Sequence, residues 1–102
     1  MLKVISLLKR KDDLSLEEFR HWALEEHPPI GKQLPGLQAY RMSVVYVDDP
    51  SLPCDAVSEF WFQDEEARVA AFATPQGKAA AEDAAAHCSF RVHLLTQEKV
   101  II

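Results

Sequence analysis

A chain of 102 residues with a net charge of −5 has the length of one domain and buries about two thirds of its unfolded surface, so it folds alone yet gains from a partner. Eleven basic residues scattered among 16 acidic ones exclude a nucleic-acid face, which needs clustered cations against phosphate. A hydrophobic share of 48% excludes disorder and low complexity, and no apolar run reaches the ~20 residues of a bilayer crossing.

Leu2 to Leu8 is a short apolar run rich in strand formers and ended by Lys9-Arg10-Lys11; it reads as a first strand. The basic cluster is followed at once by Asp12 and Asp13, which makes it a solvated turn. The charges follow the apolar run, the reverse of a secretory leader, so the chain is expected to be cytoplasmic and complete. Ser15 with Glu18 three residues on is a capping box. Leu16, Phe19, Ala23, Ile30 and Leu34 then recur at a helical step, with Trp22 beside the stripe and His27 filling its gap. Pro28 and Pro29 cannot continue a straight helix, so the regular helix is expected to end or kink near Glu26 or His27, with a second turn over Pro29 to Gln33.

Pro35-Gly36 breaks the chain. Leu37 to Val47 is the longest strand candidate, with Tyr40, Met42, Val44 and Tyr46 on one face. Asp48 to Pro53 is a turn. Asp55 to Phe62 is a third strand, with Ala56, Ser58, Phe60 and Phe62 opposite Val57, Glu59 and Trp61. Asp64 caps a second helix, and Thr74-Pro75 restarts it as an alanine-rich run ending at His87. Ser89 to Glu98 is a fourth strand, and Val100-Ile101-Ile102 an apolar tail. Cys54 and Cys88, with no CxxC pair and no ligand-like spacing, are expected to be free thiols at strand starts.

The order β-α-β-β-α-β implies an α+β domain over residues 1–102: a four-stranded antiparallel sheet with both helices on one face. The other face should then be polar in a monomer. Here either assignment of faces leaves it apolar, which predicts a homodimer with two sheets stacked face to face.

His27 is the first candidate for chemistry, because an imidazole at a helix end against the sheet points into any cavity between them; the plainer reading is a buried histidine bonded to a backbone carbonyl at the prolyl kink. Tyr40, just past the Pro-Gly break, is placed to hydrogen-bond a ligand oxygen or to sit as a rim aromatic. Trp22, Phe60 and Trp61 serve as pocket walls or as plain core. Asp55 and Glu59 are either cavity carboxylates or edge charges that block aggregation. His93 and Arg91 are expected to face solvent or the dimer seam. No GxGxxG, Walker loop, HExxH or GxSxG is present, and no two histidines are spaced i, i+3 or i, i+4, so neither a cofactor nor a metal is expected; a haem-binding reading has nothing beyond His27 behind it.

The stretches VISLLKRKDDLSLEEFRHW, EEHPPIGKQLPGLQAY and DAVSEFWF, with the Thr74-Pro75-Gln76-Gly77 restart, make the chain resemble the EthD-like family of the dimeric α/β-barrel, ferredoxin-like superfamily over nearly its full length. The resemblance implies that fold, a homodimer whose sheets form a barrel, and a helix–sheet cavity for a small, mostly apolar, oxygenated molecule. It maps the family histidine onto His27 and the family tyrosine onto Tyr40. Asp55-Ala56 stands where many members have Asp-Gly, which leaves a role for Asp55 open. The family's name comes from alkyl-ether degradation in a system whose oxidation a cytochrome P450 performs. Relatives include a methylmuconolactone methylisomerase and polyketide-pathway dehydratases, and wider superfamily members include cofactor-free monooxygenases. Fold does not fix reaction. The expected function is cofactor-free chemistry on a small oxygenated hydrophobic metabolite, of oxidoreductase, isomerase or dehydratase type, with His27 moving a proton and Tyr40 holding an oxygen. The alternative is a non-catalytic binding or carrier protein.

Overall fold

A computed structural model describes residues 1–102. Strand β1 (Leu2–Arg10) buries Val4, Ser6 and Leu8 on one face and turns Ile5 and Leu7 to the other, the alternation a strand imposes. It runs past the expected end at Leu8 because its ladder with the last strand continues to Arg10, through an irregularity at Lys9/Arg10. The capping box forms: Glu18 N–H donates to Ser15 Oγ at 3.0 Å, and Ser15 N–H donates to the Glu18 carboxylate at 2.9 Å.

Helix α1 (Leu16–His21) ends sooner than the periodicity predicts. Trp22–Glu26 form a π-helical turn closed by His27 N–H donating to the Trp22 carbonyl at 2.8 Å. Helix α2 (Pro28–Gly31) then restarts with both prolines in its first turn. An α-helix running through position 28 would need a donor that proline lacks and would press its ring on the Leu24 carbonyl. Widening the turn before the prolines removes that conflict, and a new N-terminus tolerates them. The chain leaves α2 through Gly36, whose φ of 79° is the left-handed backbone glycine adopts without penalty.

Strand β2 (Ala39–Val44) is shorter than the expected Leu37–Val47. Its partner β3 (Ala56–Phe62) begins opposite Val44, so beyond Val45 nothing remains to pair with, and Tyr46 is left 98% exposed. Helix α3 (Glu65–Phe72) is capped by Asp64, which accepts from Ala67 N–H at 2.8 Å. Helix α4 (Pro75–His87) is capped by Thr74 with Pro75 in first position. Strand β4 (Cys88–Thr96) follows at once. The sheet order is β2-β3-β1-β4, every pair antiparallel: the α+β architecture that the element order implies.

The helices pack on the sheet face of Val4, Leu8, Ala56, Phe60 and Phe62. Two apolar clusters form there, one around Phe19, Trp22, Leu8 and Ala84, the other around Val4, Leu34, Phe60 and Phe62. The opposite face carries Ile5, Leu7, Val57 and Trp61, with Phe90, Val92 and Leu94 of β4 in register beside them. Phe90 and Leu94 are 51% and 43% exposed.

Candidate functional site

A cavity of about 100 Å³ lies between helices and sheet, drawing its walls from both apolar clusters. Its floor is the sheet. Its roof includes His27 and Gly31 from the broken first helix, Leu34 from the turn after it, and Ala80, Ala81 and Ala84 from α4. Alanines on α4 leave the room that larger side chains would fill. Arg91 and His93, exposed residues of the edge strand β4, line it as well.

His27 is 8% exposed and its Nδ1 lies 2.8 Å from Asp83 Oδ2 on α4. Trp22 Nε1–H donates to the same oxygen at 3.0 Å. The carboxylate fixes Nδ1 as the donating nitrogen, so in the neutral ring Nε2 is left as the acceptor for the cavity. Trp22 in turn is held by His87, whose ring stacks on the indole at 4.6 Å and whose Nδ1 bonds the Asp83 carbonyl at 2.8 Å. The π turn sets this geometry, because it delivers Trp22 and His27 to one carboxylate across a chain that then has to restart.

Tyr40 lies against Gly31: a methyl group built there would sit 3.1 Å from the phenol oxygen and 3.2 Å from the ring. Burial, aided by the Asp83 charge, pushes its hydroxyl up to about 12, so the group is a hydrogen-bond donor, not a base, at neutral pH. Partial desolvation of its ring and the charges of Arg91 and Arg68 lower His93 below the usual imidazole value; the ring meets Phe60 and Phe72, each at 5.7 Å, while the residue stays exposed at the strand edge. Cys88 is a free thiol raised to about 11, chiefly by burial.

Of the residues singled out in the sequence, His27, Tyr40 and Phe60 line the cavity together. Trp22 does not: it is buried behind His27 as support for Asp83. Trp61 and Glu59 lie on the opposite sheet face, where Lys3 and Arg41 sit over the indole at 5.0 and 5.1 Å and Lys3 pairs with Glu59 at 2.7 Å. Their strand phase places them there, because Phe60 between them points to the helices. Asp55 is fully buried at the end of the sheet, accepting from Arg10 N–H at 3.0 Å with Lys9 at 3.6 Å; it ties β1 to β3 and does not line the cavity. Arg91 and His93 are exposed, as expected, but lie on the helix side of the sheet and not at the seam. They face the helices, because His93 pairs with Ser6 and Arg91 with Leu8. Sequence reasoning missed Asp83, three residues past the buried Ala80, and the buried Ser6 and Ser58 in mid-strand, whose signal was a lone hydroxyl on an apolar face.

A family model described as the EthD domain matches residues 11–88. No curated protein matches the chain in sequence. Among solved structures, an ethyl tert-butyl ether D (EthD) family protein from Bacillus halodurans is similar at a TM-score of 0.80 and 24% identity, covering 97% of this chain and 99% of its own. A dimeric ferredoxin-like protein from Bacteroides fragilis is similar at 0.70 and 16%, covering 95% of each chain. A cofactor-independent oxygenase from Streptomyces nogalater is similar at 0.67 and 15%, covering 98% of this chain and 95% of its own.

Proposed function

This chain belongs to the EthD family, and on that premise we propose that it binds a small, oxygenated, largely apolar molecule in the helix–sheet cavity and acts on it by proton transfer without a cofactor. The observation that carries this reading is the His27–Asp83 contact of 2.8 Å at the wall of an apolar cavity. An aspartate that holds one imidazole nitrogen protonated and oriented leaves the other as a positioned base. Tyr40 donates to the ligand oxygen on which charge develops, its proton secure well above neutral pH. Abstraction from carbon beside a carbonyl, with that oxygen held by a phenol, opens both isomerisation and dehydration. The cofactor-independent oxygenase of the same fold supports a cavity that works without a bound group.

The 102 residues act as one domain, and the protein is a homodimer whose apolar sheet faces, led by Ile5, Leu7, Val57 and Leu94, cover each other. The dimeric neighbour from Bacteroides fragilis supports that assembly. The experiment for the chemistry is hydrogen–deuterium exchange of the methyl group of acetophenone in heavy water, followed by NMR. The native protein accelerates exchange, and His27→Gln slows it by ~10²–10⁴-fold toward the buffer rate. Equal exchange by the two proteins overturns the base assignment, and binding with no exchange at all makes the protein a carrier.

A further inference from the structure

The cavity floor holds one polar row. Met42, Ser58, Ser6 and His93 are direct cross-strand partners through all four strands, and all four line the cavity. Strands stand about 4.8 Å apart, so the row crosses ~14 Å of sheet. The neighbouring rows are apolar through the centre: Phe60 and Val4 on one side, Ala56 and Leu8 on the other.

Ser6 and Ser58 are 3% and 5% exposed, and neither hydroxyl makes a hydrogen bond to another group of the chain. Neither hydroxyl is among the sealed, unpartnered side-chain atoms, which are Arg10 Nη1 and Asp55 Oδ1, so both open onto the cavity. Room for a ligand does not require them, because alanine makes the same room, as it does at Ala80 and Ala84 on the roof. The pair therefore serves whatever enters. The charge at the β4 end of the row is positive, and the Asp83 carboxylate stands behind His27 in the roof. In a protein with more acidic than basic residues, no carboxylate lines the cavity, and Arg91 is its one permanently charged wall. The other cation close to His93, Arg68, is already paired with Glu65 at 2.7 Å.

We propose that Ser58, Ser6 and His93 form the seat for a planar carboxylate, with Arg91 supplying the countercharge, so that the ligand is a small ring acid whose ring lies among Phe60, Phe72 and Met42. This deepens, and rests on, the reading of the cavity as a small-molecule site. Hydroxyls and an imidazole N–H give the directed donors a carboxylate needs. Arg91 at the exposed edge favours the anion over its neutral isostere. A volume of about 100 Å³, below the ~150 Å³ of an engineered cavity that holds benzene, limits the ligand to one ring with its carboxylate at the exposed β4 edge.

The test titrates benzoate and benzamide, which differ in charge and little in shape, into the ¹⁵N-labelled protein and follows the amide resonances of Gly31, Ser6 and Ser58. Benzoate binds at least ~10-fold more tightly than benzamide. Arg91→Gln, a change at an exposed residue, removes that preference. The double variant Ser6→Ala, Ser58→Ala loses benzoate at least ~10-fold, while the thermal midpoint of its ligand-free form holds or rises, which serines needed only for folding would not allow. Benzamide binding as tightly as benzoate overturns the proposal, and so does a double variant that keeps its benzoate affinity. In either case intact acetophenone exchange leaves the proposed function standing. If neither compound moves these resonances, the cavity reading falls with it.

Discussion

Two side chains, His27 and Tyr40, take their roles from their neighbours. His27 is an oriented imidazole because Asp83 is there, and Asp83 is held by Trp22 Nε1–H at 3.0 Å. Tyr40 is a durable donor because burial and the Asp83 charge disfavour its phenolate. That shift has a consequence for stability. Unfolded, the phenol ionises near 10; folded, near 12. Between those values the unfolded chain loses the proton first, so stability present below pH 10 is lost as the pH rises through 12. Denaturation followed across this window should show the native protein losing about 1–2 kcal/mol that Tyr40→Phe does not lose, the figure being reduced for the solvent that reaches the ring. An equal loss in both proteins would mean that Tyr40 ionises freely.

At the scale of the element, α3 and α4 meet without a spacer at Gly77. A methyl group there would lie 2.4 Å from the Ala71 carbonyl oxygen and 2.5 Å from Phe72 Cα, both backbone and neither able to swing away. Thr74 closes the same corner, donating to Ala71 O at 2.6 Å and accepting from Gly77 N–H at 3.1 Å. Gly77→Ala should cost about 1–3 kcal/mol or more in urea denaturation, and a change within about 0.5 kcal/mol would show that the corner yields. This corner was legible in the sequence, since Thr-Pro names a helix start by local chemistry alone, as Ser15 with Glu18 names another. The π turn was not. Prolines announce a break but not which preceding residues absorb it, and here the strain is taken up from Trp22 onward. The strand phases were legible where one face is apolar, as in β3. They failed in β4, where Phe90, Val92 and Leu94 form an apolar face opposite Ser89, Arg91 and His93, so the polar residues read as the solvent or seam side; only pairing with β1 turns His93 and Arg91 toward the cavity. Asp83 stayed hidden for a related reason. In an alanine-rich helix, nothing local separates the acid that faces inward from Glu82 beside it.

Across the molecule, helices cover one side of the sheet, and the other side carries an apolar patch of Ile5, Leu7, Val57, Phe90, Val92 and Leu94 beside the Lys3–Glu59 pair, a surface that a lone domain of this size would expose to water. Trp61, with Lys3 and Arg41 over its ring, borders that patch. Light scattering at micromolar concentration should give twice 11.5 kDa. Leu7→Arg, which places a charge at the centre of that face, should give the single-chain mass with the helix signal retained. A native protein at the single-chain mass would remove the dimer. The cavity itself lies on the helix side and is built from one chain, so the variant should still bind there.

In the proposed site Asp83 holds His27 with Nδ1 protonated and Nε2 free as a base toward the cavity. Long-range ¹H–¹⁵N NMR of the imidazole reads this directly. The neutral His27 ring should show a protonated Nδ1 and a bare Nε2, Asp83→Asn should disturb that distribution, and acetophenone should shift Nε2 alone. A neutral ring protonated on Nε2, or an Nε2 resonance indifferent to acetophenone while the cavity amides respond, would contradict it.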